Sequence, residues 1–273
     1  MRVFDHEIKI NDQSVMLHAY LPTTPEVAQY TVRPAVIVLP GGAYLRTAAH
    51  EGEPIALQYV AAGMCAFVLN YSVFPARFPQ SLLETLHAVR YVREHAEEFG
   101  IDPNAISVCG FSAGGHLAAS AGTLWSHACL DGMLEGDRRQ YRPDSLILCY
   151  PVIGNDTHHR SMLNLFENQE EELTPERLQL LQLDEQVRED TPPTFLWHNA
   201  TDAGVPCTGS LHFAEALYRH SVTCELHLYS EGKHGCGLGN HLTCKREYRD
   251  EMVCGSWMRL SIDFLYRLLE NKE

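Results

Sequence analysis

One short stretch of the sequence places a serine where it could act as a nucleophile. Residues Val108 to His116 read Val-Cys-Gly-Phe-Ser-Ala-Gly-Gly-His, a Gly-x-Ser-x-Gly pattern with Ser112 at its centre. A strand-like run, Ala105 to Cys109, precedes the serine, and a helix-like run, Leu117 to Leu124, follows it. A serine on such a turn is exposed at the end of the strand, beside the free N–H groups of the helix. This setting predicts that Ser112 is a nucleophile, with an ordinary turn serine as the alternative.

Two downstream residues could complete a proton relay with this serine. A serine hydroxyl attacks well only when a neutral imidazole takes its proton and a carboxylate orients that imidazole. Asp202 lies just past the strand-like run Thr194 to Trp197, and His234 lies just past the run Cys224 to Tyr229. Loops that follow parallel strands meet at one edge of the sheet. The order Ser112, Asp202, His234 therefore predicts acyl transfer with His234 as the base and Asp202 as the orienting acid.

Other acids and histidines are alternatives for the same roles. Asp156, Asp184 and Asp190 precede the strand that leads to the predicted acid, and we interpret them as surface charges. His198 ends that strand, and we interpret it as a packed or hydrogen-bonded residue behind the site. For His116, one turn into the helix, packing of the helix is a better interpretation than proton transfer.

A glycine pair early in the chain could stabilise the oxyanion of a tetrahedral intermediate. The apolar run from Arg33 to Pro40, typical of a buried strand, leads into Gly41-Gly42-Ala43-Tyr44. Paired glycines let the backbone approach a substrate carbonyl and direct an N–H group at it. We predict that the oxyanion hole comprises the N–H groups of Gly42 or Ala43 and that of Ala113. A plain Gly-Gly turn is the alternative.

The rest of the pattern predicts how these loops are positioned. Buried apolar runs alternate with amphipathic segments, which is typical of an α/β fold with a doubly wound, mostly parallel sheet. Alternating apolar residues around the turn Asn11-Asp12-Gln13 predict an N-terminal antiparallel hairpin at the edge of that sheet. The length favours one domain over residues 1–273. Helices are expected at Pro54–Ala62, Ser81–Phe99, Leu117–Leu124, Ser210–His220 and Trp257–Leu269, and further strands at Cys65–Tyr71 and Ser145–Val152.

Residues 153–190 interrupt this alternation, and we expect them to form a small acidic helical insertion near the active site. From Ser161 to Asp190 the chain has nine acidic residues and two arginines, a net charge of -7 against -14 for the whole chain. Thr174-Pro175-Glu176 is typical of a helix start, and Leu178, Leu181 and Leu183 provide an apolar side. A solvated outer face is the simpler interpretation of the charge, and recognition of cations is the alternative.

Charge and composition argue against several classes of protein. A formal charge of -14 disfavours binding to nucleic acid or to an anionic membrane. No segment approaches the roughly eighteen apolar residues of a membrane span, and the charged first residues do not resemble a signal peptide, so we expect a cytoplasmic protein. The nine cysteines form no C-x-x-C pair and are interpreted as reduced, packed thiols. The histidines, the pair His158-His159 included, lack the spacing of a metal site, so no metal is expected.

These motifs together resemble the esterase and lipase branch of the α/β-hydrolases, in particular bacterial acetyl-xylan-esterase-like and feruloyl-esterase-like proteins associated with xylanases. The resemblance implies an α/β-hydrolase fold, with Ser112 on the nucleophile elbow. It also implies hydrolysis of short acyl esters, commonly acetyl groups on plant-polysaccharide fragments, without a metal or organic cofactor. The likeness covers most of the chain and rests on Leu39–Tyr44, Glu51-Gly52-Glu53-Pro54, Gly110–His116, Thr191–His198, Asp202 with Val205-Pro206, and His234-Gly235.

Three positions depart from the pattern of that branch. Ala43 stands in place of a third glycine, Thr201 in place of an acidic residue, and Thr208-Gly209 in place of a more polar pair. None is a member of the predicted triad. The departures therefore bear on the acyl or alcohol preference and not on the presence of activity.

The sequence thus predicts a serine esterase that cleaves short-chain acyl esters through an acyl-enzyme, with O-acetyl groups of sugars or oligosaccharides as the foremost substrates. A general carboxylesterase or lipase and a serine peptidase or thioesterase are alternatives on the same scaffold. A ligand-binding protein on a hydrolase scaffold is the non-enzymatic alternative, and the presence of all three triad residues argues against it. The oligomeric state is left open, a homo-oligomer included.

Overall fold

One mixed sheet runs through the part of the chain that the structure describes. The structure is a computed structural model and describes residues 1–23, 32–154, 159–244 and 253–270. Within these residues the strand order is β1-β2-β4-β3-β5-β6-β7-β8. The strands are β1 Arg2–Ile10, β2 Gln13–Leu21, β3 Arg33–Leu39, β4 Cys65–Asn70, β5 Ile101–Phe111, β6 Ser145–Cys149, β7 Thr194–Asn199 and β8 Cys224–Tyr229.

The directions of the strands confirm the predicted sheet. β1 pairs with β2 and β2 with β4 in antiparallel register, while β4, β3, β5, β6, β7 and β8 pair in parallel. The N-terminal hairpin therefore forms the antiparallel edge of a mostly parallel sheet. Parallel strands joined by crossovers point their carboxyl ends to one edge, which is where ligands bind in such sheets.

Helices cover both faces of the sheet, as a doubly wound fold requires. Alternate residues of β3 enter different apolar clusters: Ile37 belongs to the cluster with α2, α4 and α7, and Val38 to the cluster with α1 and α8. Such complete burial on both faces explains the continuous apolar sequence of this strand. The helices are α1 Glu53–Ala61, α2 Gln80–Glu94, α3 Ala96–Phe99, α4 Ala113–Thr123, α5 His159–Asn164, α6 Pro175–Leu180, α7 Thr208–Arg219 and α8 Trp257–Glu270.

The prediction of one helix over Ser81–Phe99 is wrong, because α2 and α3 are separated at His95. His95 has φ -104° and ψ 13°, outside the helical region. The backbone N–H of His95 still donates to the carbonyl oxygen of Tyr91 at 3.1 Å, so a local distortion of the backbone divides the two helices. Gly100 then ends α3 with φ 67°, as the sequence predicted.

The helix after Ser112 begins at Ala113, earlier than the predicted Leu117. Gly114 and Gly115 are poor helix formers, which hid the start of the helix in the sequence. Both positions are crowded, since a Cβ on Gly115 would lie 2.7 Å from the Cβ of Pro151. Close packing against the loop after β6 thus requires glycine inside the first turn of α4.

The segment between β6 and β7 leaves the sheet and lies against loops at its carboxyl edge. The Leu183 N–H donates to the carbonyl of Ile153 at 3.0 Å, and the side chain of Asn164 donates to the carbonyl of Ala43 at 2.6 Å. Thr174 caps α6 by accepting from the N–H of Arg177 at 3.4 Å, so the predicted helix start is confirmed.

The surface of this segment matches the simpler interpretation of its charge. None of its nine acidic residues is buried. Leu181 and Leu183 are buried and provide the predicted apolar side, while Leu178 is half-buried. Of the competing acids, Asp190 is exposed and Asp184 is half-buried, and Asp156, like His158, lies outside the described residues.

Candidate active site

Ser112 occupies a strained turn between β5 and α4. Its backbone has φ 53° and ψ -117°, a conformation that costs a non-glycine residue on the order of 1–3 kcal/mol. The strand and helix approach so closely that a Cβ on Gly110 would lie 2.1 Å from the carbonyl oxygen of Gly114. A Cβ on Gly114 would lie 2.2 Å from the carbonyl oxygen of Leu39. The two glycines of the motif therefore allow the turn that presents the serine at the end of β5.

The structure brings the three residues of the predicted triad into one hydrogen-bonded chain. Ser112 Oγ lies 2.8 Å from His234 Nε2, and His234 Nδ1 lies 2.7 Å from Asp202 Oδ2. A carboxylate only accepts, so the Nδ1–H group donates to Asp202. The Nε2 atom is then free to accept the proton of the Ser112 hydroxyl, which is the tautomer that a general base needs.

Asp202 is buried and held as a carboxylate. Its Oδ1 accepts the N–H groups of Gly204 at 2.8 Å and Val205 at 3.0 Å. Burial by itself would raise the pKa of Asp202, but hydrogen bonding to His198 and His234, the charge of His234 and the Val205 N–H together hold that pKa well below its usual range. Asp202 is therefore ionised at neutral pH and can stabilise a protonated His234.

His198 supports the site from behind, in agreement with its interpretation as a packed or hydrogen-bonded residue. His198 is fully buried, with Nε2 2.9 Å from the carbonyl oxygen of Val205 and Nδ1 2.7 Å from Ser210 Oγ. The Nε2–H group must donate to the carbonyl, and it also lies 3.5 Å from Asp202 Oδ2. His198 thus helps to fix Asp202 and does not reach Ser112 as a second base.

His116 connects three parts of the site. Its Nε2 donates to the carbonyl oxygen of Leu181 at 3.3 Å, so its Nδ1 accepts the hydroxyl of Tyr44 at 2.8 Å. Burial lowers the pKa of His116 to about 4, and the hydrogen bond to Leu181 only partly opposes that effect. A neutral His116 therefore ties α4 to the loop after β3 and to the segment between β6 and β7.

The loop after β3 has the backbone geometry of a glycine-dependent turn. Gly42 has φ 133°, and a Cβ there would lie 2.0 Å from the carbonyl oxygen of Arg46. Ala43 and Tyr44 have φ 56° and 57°, so alanine is accommodated in the left-handed region where a third glycine was expected. Among the described residues, the N–H groups of Gly42, Ala43 and Ala113 have no hydrogen-bond acceptor. An oxyanion hole requires N–H groups that are unpaired in this way.

A cleft of about 290 Å³ opens over Ser112 and His234. No described residue of the segment 153–190 contributes to its lining, so the apolar side of that segment does not roof the cleft. The lining residues are Gly42, Ala43, Leu45, Arg46, Ala48, His50, Glu51, Ser112, His234 and Gly235.

Sequence reasoning missed three residues that hold this edge together. Glu51 belongs only to the motif of the resemblance, Tyr150 only to a predicted strand, and His50 to no predicted feature. Thr201, a departure from the family pattern, exchanges two hydrogen bonds with the backbone of Gly232 at 3.0 and 3.2 Å. A carboxylate could not donate one of these bonds, so threonine fits this position better than the expected acid.

Among the missed residues, the sequence offers a signal only for Tyr150, which directly follows β6 at the carboxyl edge of the sheet.

The described residues contain no group of three or more His, Cys, Asp or Glu side chains arranged to hold a metal ion. They also contain no helix long and apolar enough to cross a membrane. All nine cysteines are free thiols, and five of them are buried.

Comparison with known proteins shows the family to which the chain belongs. The family model BD-FAE matches residues 17–217. The endo-1,4-beta-xylanase B of Butyrivibrio fibrisolvens is 35% identical over 214 residues, which are 76% of this chain and 33% of that protein. The acetylxylan esterase of Xylanibacter ruminicola is 27% identical over 257 residues, which are 91% of this chain and 49% of that protein. The chain thus spans about a third and about half of these two relatives.

A solved structure extends the likeness to nearly the whole chain. The acetyl ester-xyloside bifunctional hydrolase of Caldicellulosiruptor lactoaceticus superposes with a TM-score of 0.80 and 36% identity, over 94% of this chain and 89% of that one. The predicted resemblance is therefore confirmed. With its mostly parallel sheet, its serine turn and these relatives, the chain belongs to the BD-FAE family and has the α/β-hydrolase fold.

Proposed function

We propose that the protein is a serine carboxylic ester hydrolase that removes short acyl groups, foremost O-acetyl groups on sugars or oligosaccharides. The observation that carries this proposal is the unbroken chain from Ser112 Oγ through His234 to Asp202, with distances of 2.8 and 2.7 Å. Membership of a family whose relatives include esterases supports the same reaction.

The geometry suggests how each residue acts in the reaction. His234 Nε2 takes the proton of Ser112 as Oγ attacks the ester carbonyl, and Asp202 stabilises the imidazolium that forms. The N–H groups of Gly42 or Ala43 and of Ala113 stabilise the oxyanion. His234 then returns the proton to the departing alcohol, which leaves an acyl group on Ser112. Water, activated by His234, cleaves this acyl-enzyme and regenerates the hydroxyl.

The substrate class follows from the relatives and from the size of the cleft. An acetylxylan esterase and an acetyl ester-xyloside hydrolase are among the similar proteins, so acetylated xylo-oligosaccharides are the first candidates. A cleft of about 290 Å³ without a contribution from the segment 153–190 suits a small acyl group better than a long chain. General carboxylesterase and serine peptidase activities remain the competing proposals, and a ligand-binding role is disfavoured by the complete triad.

The reaction is tested at Ser112. Replacing Ser112 by Ala should reduce turnover of p-nitrophenyl acetate by several orders of magnitude, because no acyl-enzyme can form. A serine-directed phosphonate should add its mass at Ser112 in the wild-type protein and leave the variant unlabelled. Full esterase activity in Ser112→Ala would exclude the proposed nucleophile.

The acyl preference is tested with a series of esters. Each methylene that fits an apolar pocket gains only about 0.8 kcal/mol, so steric exclusion should dominate in a small cleft. We expect kcat/KM to fall from acetyl to butyryl to octanoyl p-nitrophenyl esters, and acetate to be released from acetylated xylo- or manno-oligosaccharides. A preference for octanoyl esters without release of acetate from any sugar would favour a lipid-ester carboxylesterase instead.

A further inference from the structure

A buried carboxylate lies beside the cleft, outside the chain formed by Ser112, His234 and Asp202. Glu51 is only 2% exposed. Its Oε2 accepts the N–H of Gly41 at 2.8 Å, and its Oε1 accepts the hydroxyl of Tyr150 at 2.5 Å. These bonds join the loop after β3 to the loop after β6.

The hydroxyl of Tyr150 extends this connection to the loop that carries His234. The oxygen of Tyr150 accepts the N–H of Gly237 at 2.9 Å. Next to Glu51, His50 Nε2 donates to the carbonyl oxygen of Gly235 at 3.0 Å. The pair His50-Glu51 therefore contacts the loops after β3, β6 and β8, and the loops after β3 and β8 line the cleft.

Both ends of this hydrogen-bond chain lie next to groups that the proposed reaction uses. Gly41 directly precedes Gly42, and its carbonyl accepts the N–H of Ala48 at 2.9 Å, so both polar atoms of Gly41 are held. At the other end, the ring of Tyr150 meets the imidazole of His234 edge to face, with ring centroids 5.1 Å apart and planes at 68°. A shift of Glu51 would therefore displace both the oxyanion loop and the imidazole of His234.

The chemistry of the connection requires a carboxylate at this position. Two donors, the Gly41 N–H and the Tyr150 hydroxyl, converge on one side chain, and an ionised carboxylate accepts both. An amide has one acceptor oxygen and would turn its N–H₂ group toward one of the donors. Burial, together with the neighbouring charge of Glu51, raises the pKa of Tyr150 well above its usual range, so the phenol stays protonated and can donate.

Packing alone does not explain the presence of Glu51 and Tyr150 at these positions. A buried charge is costly unless other groups compensate it. Within the described residues, the nearest basic side chain to Glu51 is that of His50, at 3.8 Å, with no Lys or Arg within ion-pair distance. Tyr150 adopts φ 37°, which is unusual for a bulky side chain, and its N–H is held by the carbonyl of Trp197 at 2.8 Å.

We propose that Glu51 is a positioning residue which, acting through Gly41 and Tyr150, holds the oxyanion loop and His234 in the geometry that Ser112 needs for acyl transfer. This inference rests on the proposed ester hydrolase function. In that reaction Glu51 acts through other residues and transfers no proton. Replacing Glu51 should therefore slow the chemical steps more than it weakens the binding of substrate.

The test compares Glu51→Gln, Tyr150→Phe and the double variant with the wild type in the hydrolysis of p-nitrophenyl acetate. Small displacements of reacting groups cost up to about 100-fold in rate, so we expect each single variant to lose at least about 10-fold in kcat with KM changed less than about threefold. Either substitution breaks the same hydrogen-bond chain. The loss of kcat in the double variant should therefore be little greater than the loss in the more impaired single variant. Glu53→Gln, an exposed carboxylate two residues away, is the matched control and should retain wild-type kcat.

Labelling with a phosphonate and circular dichroism separate the outcomes. A folded Glu51→Gln protein with kcat within about twofold of an active wild type, or losses that simply multiply in the double variant, would overturn the positioning role and leave the proposed function intact. If Glu51→Gln fails to fold, Tyr150→Phe, which removes a single oxygen atom, decides by the same criteria. A wild-type protein that neither hydrolyses the ester nor takes up the phosphonate at Ser112 would overturn both proposals.

Discussion

Protonation of His116 should lower the free energy of unfolding in mild acid. His116 is buried and uses both ring nitrogens, one toward Tyr44 and one toward the carbonyl of Leu181. A proton on Nδ1 would place a charge in this buried site, and the hydroxyl of Tyr44 would have to turn from donor to acceptor. Burial accordingly lowers the pKa of His116 from 6.5 to about 4 in the folded protein.

His116 binds a proton at a lower pH in the folded protein than in the unfolded chain. Between pH 6.5 and about 4 the unfolded chain binds a proton at His116 and the folded chain does not. The free energy of unfolding is therefore unaffected by this residue above pH 6.5 and decreases as the pH falls toward 4. The pKa difference is about 2.5 units, and at about 1.4 kcal/mol per unit the loss amounts to about 3 kcal/mol.

Urea unfolding at pH 7, 6, 5 and 4, followed by circular dichroism, measures this loss in the wild type and in His116→Gln. Glutamine does not titrate, so the variant should lack the His116 contribution to the pH dependence. Carboxylates such as Asp202 and Glu84 are common to both proteins and cancel in the difference. The free energy of unfolding of the wild type minus that of the variant should decrease by about 3 kcal/mol from pH 7 to pH 4. Parallel stability profiles would refute the reasoning, because they would mean that His116 titrates alike in both states.

Three further predictions concern the site and its supports. Asp202→Asn should lose on the order of 10⁴-fold in kcat/KM while remaining folded, because an amide favours the wrong tautomer of the imidazole. Asp190→Asn is the control and should keep nearly normal kcat/KM. The reverse result would identify Asp190 as the acid. Gly114→Ala should fold poorly or melt well below the wild type in a thermal scan, because its Cβ would lie 2.2 Å from a carbonyl oxygen of β3; an unchanged melting temperature would contradict this. Thr174→Ala should cost about 1 kcal/mol of stability through loss of the N-cap, seen in urea unfolding, with kcat unaffected.

Several expectations stay predictions. The cytoplasmic location, the single-domain organisation, the oligomeric state and the preference for acetylated sugars rest on the sequence and on the proposals above. The helical segment at 153–190, in its described part, contacts the loop after β3 and does not line the cleft. Its assignment as an insertion near the active site and its role in substrate choice stay predictions.

The sequence by itself determined the order of strands and helices and the positions of Ser112, Asp202 and His234. This was possible because local patterns report local structure: a glycine turn between an apolar run and a helix marks the elbow, and a residue just past a buried strand lies at the carboxyl edge. Parallel pairing then brings such residues together without any further information. Local pattern failed at His95, where the backbone leaves the helical region although the apolar periodicity continues.

Only the tertiary structure revealed the partners that hold these residues in place. Glu51 receives donors from Gly41 and Tyr150, ten and ninety-nine positions away in the chain, and His116 reaches Leu181 across sixty-five. No periodicity links residues at such separations. A buried carboxylate or a neutral histidine has the same letter in the sequence as an exposed one. What distinguishes it is the set of donors, acceptors and apolar walls that converge on it when loops from separate strands meet, and the chain specifies that set only by folding.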